Sequence, residues 1–147
     1  MKTFSLVIAG AMLSAVVGAL AGPTPALAAD THTADAAPNW RTGLTRTDLA
    51  RQSVSAAGYE LIQSRVDFAP GITSPRHSHP GEEVAFVIEG AIEYQLTGRP
   101  AVVLKAGSSL VIPAGTPHVA RNVGDGKASE LATYIVRKDL PLVKIEE

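Results

Sequence analysis

From Tyr59 onward the chain alternates apolar and polar positions in short runs, each stopped by Gly or Pro. In "YELIQSRVDF" the residues Ile62, Ser64, Val66 and Phe68 fall on one face, with Glu60 in phase, and Pro70-Gly71 ends the run. The same grammar continues through "EVAFVIE", "AIEYQL", "AVVL", "SSLVI", "PHVARN" and "SELATYIVR" to "LVKI", with "PGE", "TGRP", "KAG", "PAGTP" and "VGDGK" as breaks. About eight short strands at roughly ten-residue spacing predict an all-β domain, a small antiparallel sandwich or barrel of jelly-roll type. Upstream, "TRTDLARQ" (45–52) reads as a single helical turn with Asp48 near its start.

The first residues have a different pattern. Lys2 precedes the apolar stretch "FSLVIAGAMLSAVVGALAG", and Ala26-Leu27-Ala28 has the small-x-small form that signal peptidase cuts. Residues 1–28 are therefore expected to be a signal peptide for the general secretory route, giving a periplasmic or secreted product. A retained anchor is the competing expectation, because a run near twenty residues at about 1.5 Å per residue is long enough to span a bilayer. Pro23 and Pro25 and the cleavage pattern favour removal. Residues 29–38 have no apolar period and read as a disordered lead-in that leaves His32 solvated. Residues 39–58 read as an N-terminal arm, and 59–147 as the barrel domain. Trp40 is expected to pack on this domain or on a partner subunit.

Composition narrows the chemistry. The 147 residues carry 13 Lys and Arg against 14 Asp and Glu, and removal of Lys2 with the leader leaves 12 against 14, a net of −2. Nothing in that balance suggests nucleic acid or an anionic membrane as partner. There is no cysteine, which excludes disulfides, thiolate-ligated zinc, thiol nucleophiles and haem attachment together.

What remains is a histidine–carboxylate pattern in "HSHPGEEVAFVIEG". Alternate residues of a strand share a face, so His77 and His79 point one way and Ser78 the other. Glu83 begins the next strand, in phase with Ala85 and Val87, and can bring a carboxylate beside His77 and His79. His118 follows the tight "PAGTP" loop. Three neutral imidazoles and one carboxylate form a mixed nitrogen and oxygen set suited to a divalent first-row metal. Arg76 and Arg121, neighbours of inward residues, are expected to face away, and Arg99 to be exposed in its turn. Ala85, Val87, Val111 and Val119 are expected to face inward; Phe68, Phe86 and Tyr94 have no assigned facing.

The segment from Gly71 to Gly90 resembles the first motif of the cupin superfamily: Gly71, His77, His79, Glu83 and Gly90 at its spacing. The segment from Gly107 to Asn122 resembles the second, through Gly107, Pro113, Gly115, His118 and Asn122. Sixteen residues separate the two segments, similar to compact single-domain bacterial members. The resemblance implies a jelly-roll barrel whose His77, His79, Glu83 and His118 bind one divalent transition metal. Fe(II) or Mn(II) is favoured, with Ni(II), Cu(II) or Zn(II) as alternatives. It further implies a dioxygenase-type oxidoreductase, resembling the quercetin-dioxygenase-like small cupins, acting on a small-molecule substrate, with a homodimer as the assembly; Glu83 is the candidate general base if it swings off the metal or is protonated. A non-oxidative isomerase, lyase or cyclase stays open, as does a non-catalytic metal- or ligand-binding module, because fold alone does not choose among them. Gly71, Gly90 and Gly107 are expected in turn conformations and Asn122 in a structural hydrogen bond.

Overall fold

The computed structural model describes residues 42–147; the leader, the lead-in with His32, and Trp40 lie outside them. The alternation seen in the sequence becomes ten antiparallel strands. They are β1 (Leu44–Ser53), β2 (Tyr59–Phe68), β3 (His77–Ser78), β4 (Gly81–Glu89), β5 (Ala91–Leu96), β6 (Val102–Lys105), β7 (Ser109–Ile112), β8 (His118–Asn122), β9 (Ala128–Arg137) and β10 (Lys144–Ile145). One sheet has the order β1-β2-β9-β4-β7 and the other β10-β3-β8-β5-β6. Two five-stranded sheets face each other in a jelly-roll sandwich, so the expected all-β class is what forms.

Period-two burial builds the core. On β2, Ile62, Ser64, Val66 and Phe68 are buried, as their spacing predicts. On β4, Gly81, Glu83, Ala85 and Val87 are buried while Glu82, Val84, Phe86 and Ile88 are exposed. Residues directly opposite in a sheet share a face. Val111 pairs with outward Val84 and Ile112 with inward Glu83, so Val111 is exposed rather than inward as expected. Val119 lies between buried His118 and Ala120, so it occupies the outer face of β8 and is only half-buried.

The segment read as a helical turn is strand β1, paired with β2 from Leu44↔Phe68 to Ser53↔Glu60. Its inward positions after Leu44 are Arg46 and Asp48, which hid the alternation. Arg46 bonds Asp48 Oδ1 through Nε (2.9 Å) and Nη2 (2.6 Å), and the Ser64 hydroxyl donates to the same oxygen at 2.7 Å. Inward charge satisfied in this way is a usual feature of edge strands.

The motif glycines turn the chain as expected. Gly71, Gly90 and Gly107 have φ of 70°, 75° and 88°. At Gly90 a side chain is excluded twice over: the backbone is left-handed, and a Cβ would lie 2.8 Å from Lys127 O and 2.9 Å from Ala128 Cβ. Asn122, buried at the end of β8, donates from Nδ2 to Phe68 O, Ala69 O and Gly126 O and accepts from Gly124 N–H. It ties the β2 end to the loop before β9, the structural role its position suggested.

Candidate metal centre

β3, β8 and β4 carry the histidine–carboxylate group to one place between the sheets. His77 on β3 pairs in register with His118 on β8, and His79 follows β3 directly. The His79 carbonyl accepts Gly115 N–H at 2.9 Å, joining the end of the first motif to the tight loop of the second. Glu83 comes across from the other sheet. The ligand atoms of His77, His79 and His118 lie within 4.8 Å of one another. Glu83 Oε2 stands 3.1 Å from His79 Nε2 and 3.5 Å from His118 Nε2.

Each imidazole is oriented by a backbone carbonyl. His77 Nδ1 lies 2.8 Å from Pro75 O, His79 Nδ1 2.7 Å from Leu142 O and His118 Nδ1 2.9 Å from Thr116 O. A carbonyl only accepts, so each Nδ1 carries the proton and Nε2 is the atom left to ligate through its lone pair when the ring is neutral. This is the tautomer a metal ligand requires. His79 Nε2 and Glu83 Oε2 are buried yet hydrogen-bond to no described residue. Two orphaned buried polar atoms facing each other are costly alone and would be satisfied together by a cation. The donors present therefore fit a metal, and the three-histidine cluster can hold one.

Electrostatics agree with that donor set. Burial, then the nearby His118 and His79, push His77 down to about 4, which keeps it neutral at physiological pH. Burial pushes the Glu83 carboxyl up; protonated His118 and His79 would outweigh it and hold it down, the place a bound cation would take when those rings ligate.

Sequence reasoning placed these four residues together but missed their surroundings. A cavity of about 60 Å³ opens beside them, and its lining includes His77, Glu83 and His118 together with Arg46, Tyr94, Glu130 and Tyr134. At roughly 10–15 Å³ per water, it holds about four to six waters or one small molecule. Phe68 and Tyr94, left without a facing by the sequence, line it; Ala85, Val87, Val111 and Val119 do not, and Phe86 is 40% exposed on the outer face. Glu130 and Tyr134 were legible: in "ASELATYIVR" they share the phase of Ala128, Ala132 and Val136, all buried. The carbonyl of Leu142 had no signal, because any residue supplies one.

Arg121 is exposed and pairs with Glu93 at 3.3 Å, Arg76 bonds Thr97, and Arg99 is exposed, so none of the three belongs to the cluster. Glu82 is exposed, opposite in facing to Glu83, as alternation predicts.

Comparison with known proteins agrees with this architecture. Residues 64–134 match the Cupin domain model, a span that contains all four residues of the cluster. Germin-like protein subfamily 2 member 1 of Arabidopsis thaliana is 38% identical over 76 residues, 48% of this chain and 35% of that protein. Oxalate oxidase GF-2.8 of Triticum aestivum is 35% identical over 82 residues, 50% of this chain and 37% of that one. The chain thus spans well under half the length of these curated relatives. Among solved structures, the DMSP lyase DddQ of Ruegeria pomeroyi DSS-3 superposes with a TM-score of 0.57 at 25% identity, covering 70% of this chain and 51% of that one. Residues 64–134 are thus similar to a Cupin domain, and the fold that holds them is a cupin jelly-roll sandwich.

Proposed function

We propose that this chain is a mononuclear metal-dependent oxidoreductase of dioxygenase type acting on a small organic substrate. His77, His79, His118 and Glu83 hold the metal, with Fe(II) or Mn(II) as the resident ion. The observation that carries this reading is the pair of buried, unsatisfied atoms His79 Nε2 and Glu83 Oε2, facing each other within a set of imidazoles already fixed in the ligating tautomer. A metal held there supplies Lewis acidity and a redox centre that O₂ and a chelating substrate can share. The chain's residues do the rest: three backbone carbonyls fix the rings, the two sheets limit access of water, and the cavity admits only a small molecule. The relationship to a wheat oxalate oxidase supports the oxidative class.

The likeness to a DMSP lyase favours a second reading, non-oxidative lyase chemistry at the same centre. Reloading the stripped chain with single metals, then measuring O₂ uptake on oxalate, flavonols and catechols, separates the two. Uptake with one metal supports the oxidative reading. Substrate loss without O₂ uptake supports the lyase.

The product is proposed to act outside the cytoplasm as a homodimer. The dimer reading rests on the outer face of the first sheet, where Val84, Phe86 and Ile88 of β4, Val111 of β7 and Ile135 of β9 are all at least 40% exposed. Apolar residues grouped on one sheet face mark an interaction surface.

A further inference from the structure

We propose that Glu130, held by Tyr94, is the acid–base residue of the cavity, delivering a proton to a basic oxygen or carbon of the bound small molecule. This inference rests on the metal-enzyme reading above.

Glu130 lies on the inward face of β9, 5% exposed, and lines the cavity shared with His77, Glu83 and His118. No described cation pairs with it. Its one hydrogen bond among the described residues comes from the Tyr94 hydroxyl, which donates to Oε2. A carboxylate buried without a counter-charge is unfavourable, so the neutral acid is the form this site accommodates. With Oε2 occupied by Tyr94, the acid proton sits on Oε1.

The groups that face it are Glu83 on β4, Tyr94 on β5, His118 on β8, His77 on β3, Arg46 on β1 and Tyr134 on its own strand. Burial, the larger cause, and in the metal-free chain the Glu83 charge lift the Glu130 carboxyl to about 8; burial persists when a metal offsets the Glu83 charge. Burial likewise raises Tyr94 and Tyr134 well above their usual range, which leaves both as neutral hydrogen-bond donors.

The step is a simple transfer. The Glu130 O–H bond breaks, the proton bonds to an electron pair on the substrate, and the carboxylate left behind is stabilised by the Tyr94 hydroxyl until water returns a proton through the cavity. Glu83 is poorly placed for this work, because its oxygen faces His79 and His118 within the ligand set.

The test compares full-length wild type with E130Q, which keeps the shape and an acceptor for Tyr94 but has no acidic proton, and with Y94F. Infrared spectra near neutral pH are expected to show a buried carboxylic-acid band that vanishes in E130Q and shifts in Y94F. Metal content stays at the wild-type level, and kcat on a substrate found in the O₂-uptake or substrate-loss assay falls by about 10²–10⁴-fold in E130Q. An ionised Glu130 near neutral pH, or an E130Q enzyme with wild-type turnover, overturns the proposal. A wild type that binds no metal sinks the functional reading and with it the catalytic role of Glu130, whereas a metal-binding, active wild type with an ionised Glu130 or an equally active E130Q overturns the proposal alone. A metal-loaded wild type that turns over nothing sinks both.

Discussion

His77 on β3 and His118 on β8 stand directly opposite each other across an antiparallel pair, their ring centroids 4.3 Å apart. Forty-one positions separate them in the chain. The strand register, rather than a loop, brings the two halves of the candidate site together, and Glu83 reaches it from the facing sheet. Such a site is as rigid as the sandwich that carries it.

The C-terminal segment is part of this support. Leu142 O holds the His79 ring, Glu146 Oε1 accepts the Ser78 hydroxyl at 2.6 Å, and Glu146 N–H bonds Arg76 O at 3.0 Å. Deleting residues 142–147 is expected to weaken metal binding by about 10–100-fold, the usual cost of losing a partner that orients a ligand. Isothermal titration of the stripped chain with Mn(II) measures it. Wild-type affinity in the truncated chain contradicts the role given to Leu142.

Asn122→Ala removes the tie among Phe68, Ala69, Gly124 and Gly126 and leaves buried backbone groups without partners. A loss of about 2–3 kcal/mol in unfolding free energy is expected by urea denaturation, with the metal-to-chain ratio retained. A loss under about 0.5 kcal/mol, the range of an ordinary surface change, contradicts the account.

Glu130 gives a pH signature to the metal-free chain. Its folded-state value of about 8 lies above the ordinary 4.5, so between those values the folded chain keeps a proton that the unfolded chain has released. Stability from this group is fully present below about pH 4.5 and is lost as pH rises to about 8, at up to about 1.4 kcal/mol per pH unit. The difference in stability between wild type and E130Q therefore grows in favour of E130Q across that window. Parallel pH curves for the two proteins, measured by denaturant unfolding, refute it.

The apolar outer face carries the assembly prediction. Phe86→Glu places a charge at 40% exposed Phe86, beside Val84 and Ile88 on the same face of β4, and leaves the inward face untouched. Sedimentation velocity is expected to show a dimer for wild type and a shift to monomer for the variant, with metal content unchanged. A wild-type monomer, or a variant dimer of equal affinity, contradicts the assignment.

The limits of sequence reading show in particular residues. His77, His79, Glu83 and His118 were legible because strand period and motif spacing report facing directly. β1 was not, since Arg46 and Asp48 occupy its inward positions, where they are satisfied by each other and by Ser64 on another strand. Val111 was misplaced by one residue of phase, the shift that reverses every side chain of a strand. Glu130 was readable in the phase of β9, but its companion Tyr94 lies 36 positions away and is brought to it only by the packing of the two sheets.

The most direct test of the central claim is the metal stoichiometry and affinity of wild type, E83A and E82A, stripped with chelator and titrated with Mn(II) or Fe(II) under anaerobic conditions. One ion per chain is predicted for wild type and E82A, with affinity about 100-fold lower or worse in E83A, at least the upper end of what losing an orienting partner costs. Wild type that binds no ion, or E83A that binds as tightly as wild type, would contradict the assignment of His77, His79, His118 and Glu83 as one metal site.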